Sequence, residues 1–466
     1  MSRRADRRFW VVLGCITAVA LAWRVTYVIW QRGRIPLNGD AAYYHWQAID
    51  LARGLGFLDP AMYEQYGRVT PSAGHPPAYL VYLAAVARFV GTSETTHRLA
   101  SCLLGAGAVF AIGVLARRVF RRDASGWLAA AFAAVYAHLW INDEMHMSES
   151  MYVLTMTLAI IAAYRFWDRR TLGSAALMGA ALGLAVLSRA EAIALFPIMV
   201  LPLALLMRDR RLLDRLKVAT VAGLVGALVL APWVVHNLTR FEHPVLLSNG
   251  AGSVLMVANC DSYAEDTGEY RGTYRGTYVG YWSIFCAADM PERIRAYFPD
   301  DRANELLAEL GPIAFPSGHT THWFGDESTH EVAWRALGVE EMRRHKSELL
   351  TAVPIRVLRM WDFFRPLQNI DPLNSELEGR GLWPTRIGYI QYYPLLALAV
   401  VGLLWLRRRR ALVLPFVAVA VMVTITAATT FGITRYRAPV DGLLPVLAAG
   451  GALVVVDAVR RRTRAL

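Results

Sequence analysis

The chain is 466 residues long, 55 % hydrophobic, with a mean hydropathy of +0.33 and a formal net charge of +12. Its apolar residues gather in runs of roughly 17 to 22, each long enough to cross a hydrocarbon core of about 30 Å, so the chain reads as a polytopic membrane protein and not a soluble one. The arginines sit in short clusters beside those runs, where cytoplasmic charge is expected, and this explains the positive charge better than a nucleic-acid partner does.

Ser2-Arg-Arg-Ala-Asp-Arg-Arg8 is a basic flank ahead of a first span over about residues 9–30. No small-residue cleavage site follows, so the segment is expected to remain as an anchor with a cytoplasmic N-terminus. An outer loop over 31–96 begins with Leu37-Asn-Gly-Asp-Ala-Ala-Tyr-Tyr44. Asp40 opens a helical stretch in which Tyr43, Tyr44 and Gln47 follow at i+3, i+4 and i+7, which puts all four on one face. Helix capping accounts for an aspartate there. An acid meeting a lipid-borne substrate at the membrane edge is the functional alternative.

The apolar piece from Pro76 to Val90 opens with Pro-Pro and is short for a span, which predicts an interfacial or re-entrant helix. Counting it as a crossing would place Arg117, Arg118, Arg121 and Arg122 outside. Omitting it places every arginine cluster inside. The remaining spans are then expected near 97–116, 126–142, 150–167, 172–187, 189–207, 218–236, 389–406, 411–428 and 438–457, about ten in all with both termini cytoplasmic.

Ionisable residues collect at the outer ends of these spans. Asn142-Asp-Glu-Met-His-Met-Ser-Glu-Ser150 packs three acids and a histidine into a short outer loop. Hydration accounts for Asp143 and Glu144, whereas Glu149 lies at the membrane boundary, where an idle carboxylate is costly. Ser188-Arg-Ala-Glu191 turns between two spans and Thr434-Arg-Tyr-Arg437 precedes the last. Both arginine sites violate the positive-inside pattern. Snorkelling explains them blandly, and an anion held at the outer face explains them functionally, because guanidinium matches phosphate oxygens with paired hydrogen bonds. Arg24, inside the first span, is expected to pair with one of these carboxylates.

Residues 237–388 form a second long outer segment, polar and aromatic, expected to be a small cap with helices such as Arg302–Leu310 and Glu331–Met360. The chain thus divides into a transmembrane module (1–236), the cap (237–388) and C-terminal spans with a basic tail (389–466). In the cap, Arg271-Gly-Thr-Tyr-Arg-Gly-Thr-Tyr278 reads as a tyrosine-rich hairpin or loop, with a sugar-stacking surface as the alternative. Phe315-Pro-Ser-Gly-His319 shares the core of membrane acid phosphatases without their other motifs, and reads as a turn. An oxidising exterior permits a disulfide between Cys260 and Cys286, while Cys15 and Cys102 lie in spans. No Cys-x-x-Cys, His-Glu-x-x-His or Walker-type sequence occurs.

These motifs in their order, namely outer-loop Asp40 followed by Tyr-Tyr, Pro76-Pro, Ser148-Glu, Arg189-Ala-Glu, Pro232-Trp with Asn237, and Arg435-Tyr-Arg before Pro439, resemble the GT-C superfamily of membrane glycosyltransferases. The nearest likeness is to the branch of protein O-mannosyltransferases and lipid A aminoarabinose transferases, in the form seen in actinobacteria. Lysine only at Lys217 and Lys346 fits a GC-rich bacterial genome. The resemblance implies an all-α GT-C bundle in a bacterial plasma membrane, working on its extracytoplasmic side. It implies transfer of one sugar from a polyprenyl-phosphate donor to a hydroxyl of an envelope glycan, lipid or protein, with inversion.

In that reading Asp40 is the general base, and Arg189, Arg435 and Arg437 stabilise the departing phosphate. His75 stands where relatives often carry lysine and contacts phosphate, while Tyr43, Tyr44, His146, Glu149, Glu191 and Tyr436 line the substrate pocket. A divalent cation could be held among Asp40, Asp143 and Glu149, although relatives with monophosphate donors commonly work without one. A transporter or flippase for lipid-linked sugars is the alternative, disfavoured by the absence of duplicated halves.

Overall fold

A hydrocarbon core offers no water to satisfy backbone N–H and C=O groups, so the apolar runs close their hydrogen bonds within helices. The computed structural model describes residues 3–34, 37–263, 268–287, 289–311, 313–314, 322–323, 325–370 and 380–463. The expected turn at 315–319 lies outside them.

Helix α1 (Arg3–Gln31) is followed by three juxtamembrane helices, α2 (Gly39–Ala52), α3 (Pro60–Tyr66) and α4 (Pro77–Phe89), the last being the expected short Pro-Pro helix. Next come α5 (Glu94–Phe120), α6 (Asp123–Val135), α7 (Ala137–Glu144), α8 (Glu149–Arg169) and α9 (Leu172–Ser188). Residues 190–205 coil through a 3₁₀ turn, a π turn and the short α10 (Leu201–Leu205), with Pro197 and Pro202 interrupting the ladder. Helix α11 (Leu212–Leu238) leads to the cap.

The cap comprises α12 (Ala251–Ala258), α13 (Met290–Tyr297), α14 (Asp300–Leu310), α15 (Glu327–Arg344) and α16 (Lys346–Met360), with one two-residue strand pair. The C-terminal helices are α17 (Leu382–Arg408), α18 (Leu414–Thr429) and α19 (Ala438–Thr463).

Among the described residues, α1, α5, α8, α11, α17 and α19 are each long and apolar enough to cross a membrane, and α6 with α7, bent by 53°, makes a seventh if taken as one span. The segments expected at 172–187, 189–207 and 411–428 are helical but shorter. Length and composition therefore support six or seven of the ten expected crossings. Helices α5 and α8 are mostly buried, while α11 and α17 turn Leu224, Leu228, Val400 and Leu404 outward as an apolar exterior. Helices α17 and α19 touch backbone to backbone. A Cβ on Gly402 or Gly451 would stand 2.1 or 2.0 Å from the carbonyl oxygens of Leu447 and Leu398, the small-residue contact that membrane helices use to approach closely.

The arginine clusters come together at one end of the bundle. Arg117 reaches Asp6 and Asp123 at 2.7 Å, Arg118 reaches Asp168 at 2.8 Å, and Arg122 reaches Asp457 at 2.7 Å. These pairs join the same ends of α1, α5, α6, α8 and α19. Individually they stabilise little at an exposed surface, but they locate the basic face.

In the cap, α12 packs on α15, and Met256, Met290, Ile294, Leu306 and Leu337 form a small core of its own. Cys260 and Cys286 are disulfide-bonded across it, with Cα atoms 5.7 Å apart. The single helix expected over Glu331–Met360 is two. His345 breaks it with φ −112° and ψ 37°, its ring stacked on Tyr274 at 4.3 Å and its Nε2 3.1 Å from Asp261. The tandem tetrapeptide is an irregular loop. Arg359 donates to the Thr277 carbonyl and Thr273 Oγ1 to that of Ala258, so its backbone is anchored to the cap.

Candidate active site

A cavity of about 1190 Å³ lies between the juxtamembrane helices, the ends of α9, α18 and α19, and the cap. Asp40 sits in the first turn of α2. The helix is entered through Asn38 in an extended conformation and Gly39 at φ +53°, a left-handed backbone that glycine adopts without cost. The capping reading is overturned: the cap position is Asn38, with no side-chain bond to the helix, and the Asp40 carboxylate turns away into the cavity.

Asp40 Oδ2 accepts a 2.6 Å hydrogen bond from Arg435 Nη2, and its Oδ1 stands 3.6 Å from His75 Nε2. Arg435 Nε donates to Glu149 Oε1 at 2.6 Å. The same oxygen accepts from Arg189 Nη1 at 3.1 Å, and Arg189 Nε donates to Glu191 at 3.2 Å. Acid and base thus alternate from His75 through Asp40, Arg435, Glu149 and Arg189 to Glu191. Burial pushes Asp40 up, but the Arg435 guanidinium and the His75 ring outweigh it and hold the carboxyl well below the usual carboxylate range. The idle-carboxylate cost at Glu149, whose side chain is 2 % exposed, is met by two guanidinium groups.

The expected face of α2 is built. Tyr43 bonds Ser72 Oγ at 2.7 Å and accepts from Gln47 Nε2 at 2.9 Å, while Tyr44 stacks on the His75 ring at 4.6 Å. Asp40, Tyr43, His75, Arg189, Glu191, Arg435 and Tyr436 line the cavity, whereas Tyr44 and Glu149 lie behind that lining.

Two expected residues are elsewhere. Arg437 is fully buried, paired to Asp362 at 2.6 Å and Asp441 at 3.0 Å with its guanidinium 3.8 Å above the Tyr392 ring, so it is not placed to meet a phosphate in the cavity. The reason is the 3₁₀ turn Thr434–Arg437, which sends Arg435 and Arg437 in different directions. His146 is buried against His45 and His97, outside the cavity.

The acids proposed to share a cation are not brought together. Asp40 and Glu149 are bridged by Arg435, and Asp143 pairs with Arg24 at 2.8 Å and accepts from Ser150 at 2.6 Å. The carboxylate expected to pair with Arg24 is therefore Asp143.

Sequence reasoning missed the cap's share of the site. Glu327, Glu331 and Trp334 line the cavity, and Glu327 Oε2 accepts from the Ala73 amide at 2.7 Å, which fastens the cap beside His75. No local signal marks them, because their importance arises only from the fold-back of α15.

Residues 74–236 match the family model described as dolichyl-phosphate-mannose-protein mannosyltransferase. This likeness covers about a third of the chain. The matched stretch contains His75, His146, Glu149, Arg189 and Glu191, while Asp40, Arg435 and Tyr436 reach the cavity from outside it. No curated protein matches the chain.

Among solved structures, the chain is similar to the oligosaccharyltransferase AglB of the archaeon Archaeoglobus fulgidus in complex with an inhibitory peptide and a dolichol-phosphate, at 14 % identity and TM-score 0.49, covering 100 % of this chain and 52 % of that one. It is also similar to an Archaeoglobus fulgidus oligosaccharyltransferase with Zn and sulfate, at 15 % identity and TM-score 0.49, covering 95 % and 50 %. A third is ArnT of Cupriavidus metallidurans bound to undecaprenyl phosphate, at 16 % identity and TM-score 0.39, covering 97 % and 78 %. The chain spans about half the length of the archaeal enzymes it resembles.

Proposed function

We propose that this chain is an integral-membrane glycosyltransferase that moves one sugar from a polyprenyl-phosphate carrier to an acceptor hydroxyl on the extracytoplasmic face, with inversion. The observation that carries the reading is Asp40. Its carboxylate stays ionised, is 37 % exposed to a large cavity, and is held between Arg435 and His75. The family described over residues 74–236 uses a sugar carried on a lipid phosphate, which supports the donor class.

As general base, Asp40 takes the proton of the acceptor hydroxyl while that oxygen attacks the anomeric carbon; the bond to the lipid phosphate breaks on the opposite side. Lipid phosphate leaves as an anion and needs cations more than a proton. Arg435 and Arg189 are offered for that work, with His75 beside them. Binding of the donor exchanges their present carboxylate partners for phosphate oxygens. Tyr43, Tyr436, Glu191 and the cap residues then bound the sugar and acceptor. The orientation rests on the arginine clusters, which gather at the bundle end away from the cavity, as the positive-inside rule places a cytoplasmic face.

The deciding experiment is mass spectrometry of envelope glycans and polyprenyl-phosphate sugars from cells lacking the gene. Loss of one glycan modification with accumulation of its lipid-linked sugar supports the reading. Unchanged glycans and carriers overturn it. Complementation with the Asp40→Asn chain is expected to leave the deletion profile intact.

A further inference from the structure

Three histidines from distant parts of the chain meet outside the cavity. His45 comes from α2, His97 from the first turn of α5, and His146 from the segment just before α8. Their side chains are 3 %, 0 % and 0 % exposed. One ring nitrogen from each lies within 4.8 Å of the others, and His45 Nδ1 and His97 Nδ1 are 3.2 Å apart.

The protein alone leaves this cluster unfinished. Neither ring nitrogen of His146 has a hydrogen-bond partner, and neither does His97 Nε2. A neutral imidazole carries one N–H and one lone pair, and each is costly to bury without a partner. His146 also holds a left-handed backbone at φ +57°, so the ring is kept in place against a local preference.

We propose that His45, His97 and His146 bind a late first-row divalent cation, with Zn²⁺ the best fit. Three neutral imidazoles without thiolates or a carboxylate triad suit Zn²⁺ and its neighbours in the series, and not Mg²⁺ or Ca²⁺. Tetrahedral ligands at about 2.0–2.1 Å from zinc stand about 3.3 Å from each other, close to the existing His45–His97 separation. Ring rotation of His146 brings in the third lone pair and leaves the fourth position to water.

The electrostatics allow it. Arg98 is the cation next to the cluster, but it is itself paired with Glu94 at 3.5 Å and Glu144 at 3.8 Å, so two carboxylates offset one guanidinium. The site differs from the acid set considered from the sequence, and none of its residues lines the cavity. Its position gives it a structural role: His45 lies five residues after Asp40 on the same helix, and His146 three residues before Glu149. A cation there pins the helix of Asp40 to the segment of Glu149. The inference stands on the histidines alone and does not depend on the transfer reaction.

The test uses the full chain in lipid nanodiscs, purified without chelator, loaded with Zn²⁺ and washed. About one metal ion per chain by mass spectrometry is expected. Co²⁺-loaded protein is expected to show the intense visible bands of tetrahedral cobalt with nitrogen ligands, and chelator should lower the Tm. His97→Gln and His146→Gln should each lose the bound metal at least tenfold and remove the chelator effect on Tm, while Asp40→Asn keeps both. A wild-type chain without bound metal, whose Tm ignores chelator, overturns the proposal; the cluster would then hold water only. Retention of the metal by both histidine variants, or its loss in Asp40→Asn, overturns it as well.

Discussion

Asp40 and Arg435, 395 positions apart in the chain, are joined by a 2.6 Å hydrogen bond at the wall of the cavity. The pair sets one carboxylate oxygen against a cation and turns the other toward His75. A base in this position must be ionised, reachable and aimed. Asp40→Asn keeps the shape and removes the base, and transfer from a polyprenyl-phosphate sugar in proteoliposomes should fall by about 10²–10⁴-fold. Binding of the donor, measured with a labelled lipid, should change little. Transfer within a few-fold of wild type would remove Asp40 from the role.

Arg435 holds Asp40 with Nη2 and Glu149 with Nε, a two-pronged arrangement that only a guanidinium can make. Arg435→Lys retains charge and loses one prong. Turnover is expected to drop by about 10²-fold, near the loss typical of one transition-state donor. The drop should appear in kcat more than in KM, since Arg189 remains for the ground state. An equal loss in Arg435→Lys and Arg435→Ala would point to geometry as the whole of its contribution; full activity in the lysine variant would exclude the two-pronged role.

Much of this was legible in the chain for physical reasons. Spans are long apolar runs, and a carboxylate or arginine at their outer ends stands out against them, as Asp40, Glu149, Arg189 and Arg435 do. Their connectivity was not legible, because Arg435 meets Asp40 and Glu149 only after α19 packs against the first half of the bundle. Arg437 carries the same signals as Arg435, two residues away, and the 3₁₀ turn between them decides which faces the cavity. The break at His345 depends on a ring stack with Tyr274, 71 positions earlier, which helix periodicity cannot see. His45, His97 and His146 lie in three separate elements with no motif linking them.

The buried position of Arg437 makes it a stability residue. Asp362, Asp441 and the Tyr392 ring surround it, and Tyr136 and Tyr389 donate to the two carboxylates. Removing one partner of a buried charge cluster costs about 3–5 kcal/mol. Arg437→Met should therefore lower Tm in detergent by several degrees and reduce folded yield, with the surviving folded fraction close to wild type in transfer per molecule. Unchanged Tm with abolished transfer would put Arg437 back among the phosphate ligands.

The Cys260–Cys286 bridge closes a cap loop with a sequence separation of 26 and crosses the core of Met256, Met290 and Leu306. Loop-closure entropy gives such a link roughly 3–4 kcal/mol. Because the cap has its own core, the loss should be local. Cys260→Ser with Cys286→Ser is expected to open the cap to protease and weaken transfer, while the membrane helices keep their circular dichroism. Protease resistance equal to that of the wild type, reduced or oxidised, would contradict this.

Glu327 couples the cap to pH. Burial is the main cause that pushes its carboxyl up to about 7; the Ala73 amide pulls the other way and Asp59 adds to the rise. A raised folded value means the native state favours the neutral acid. The resulting stability is fully present below the ordinary glutamate value and is lost as pH climbs through about 7. Asp40, held low, has the opposite sign and its contribution disappears only in strong acid. Glu327→Gln imitates the neutral acid and can still accept from the Ala73 amide. Its Tm should match wild type near pH 4, exceed it increasingly as pH rises toward 7 and level off above that, by an amount that reports the cost of ionising Glu327 between the cap and the His75 loop. A Tm difference that stays constant from pH 5 to pH 8 would show that the carboxyl titrates as if it were free in water.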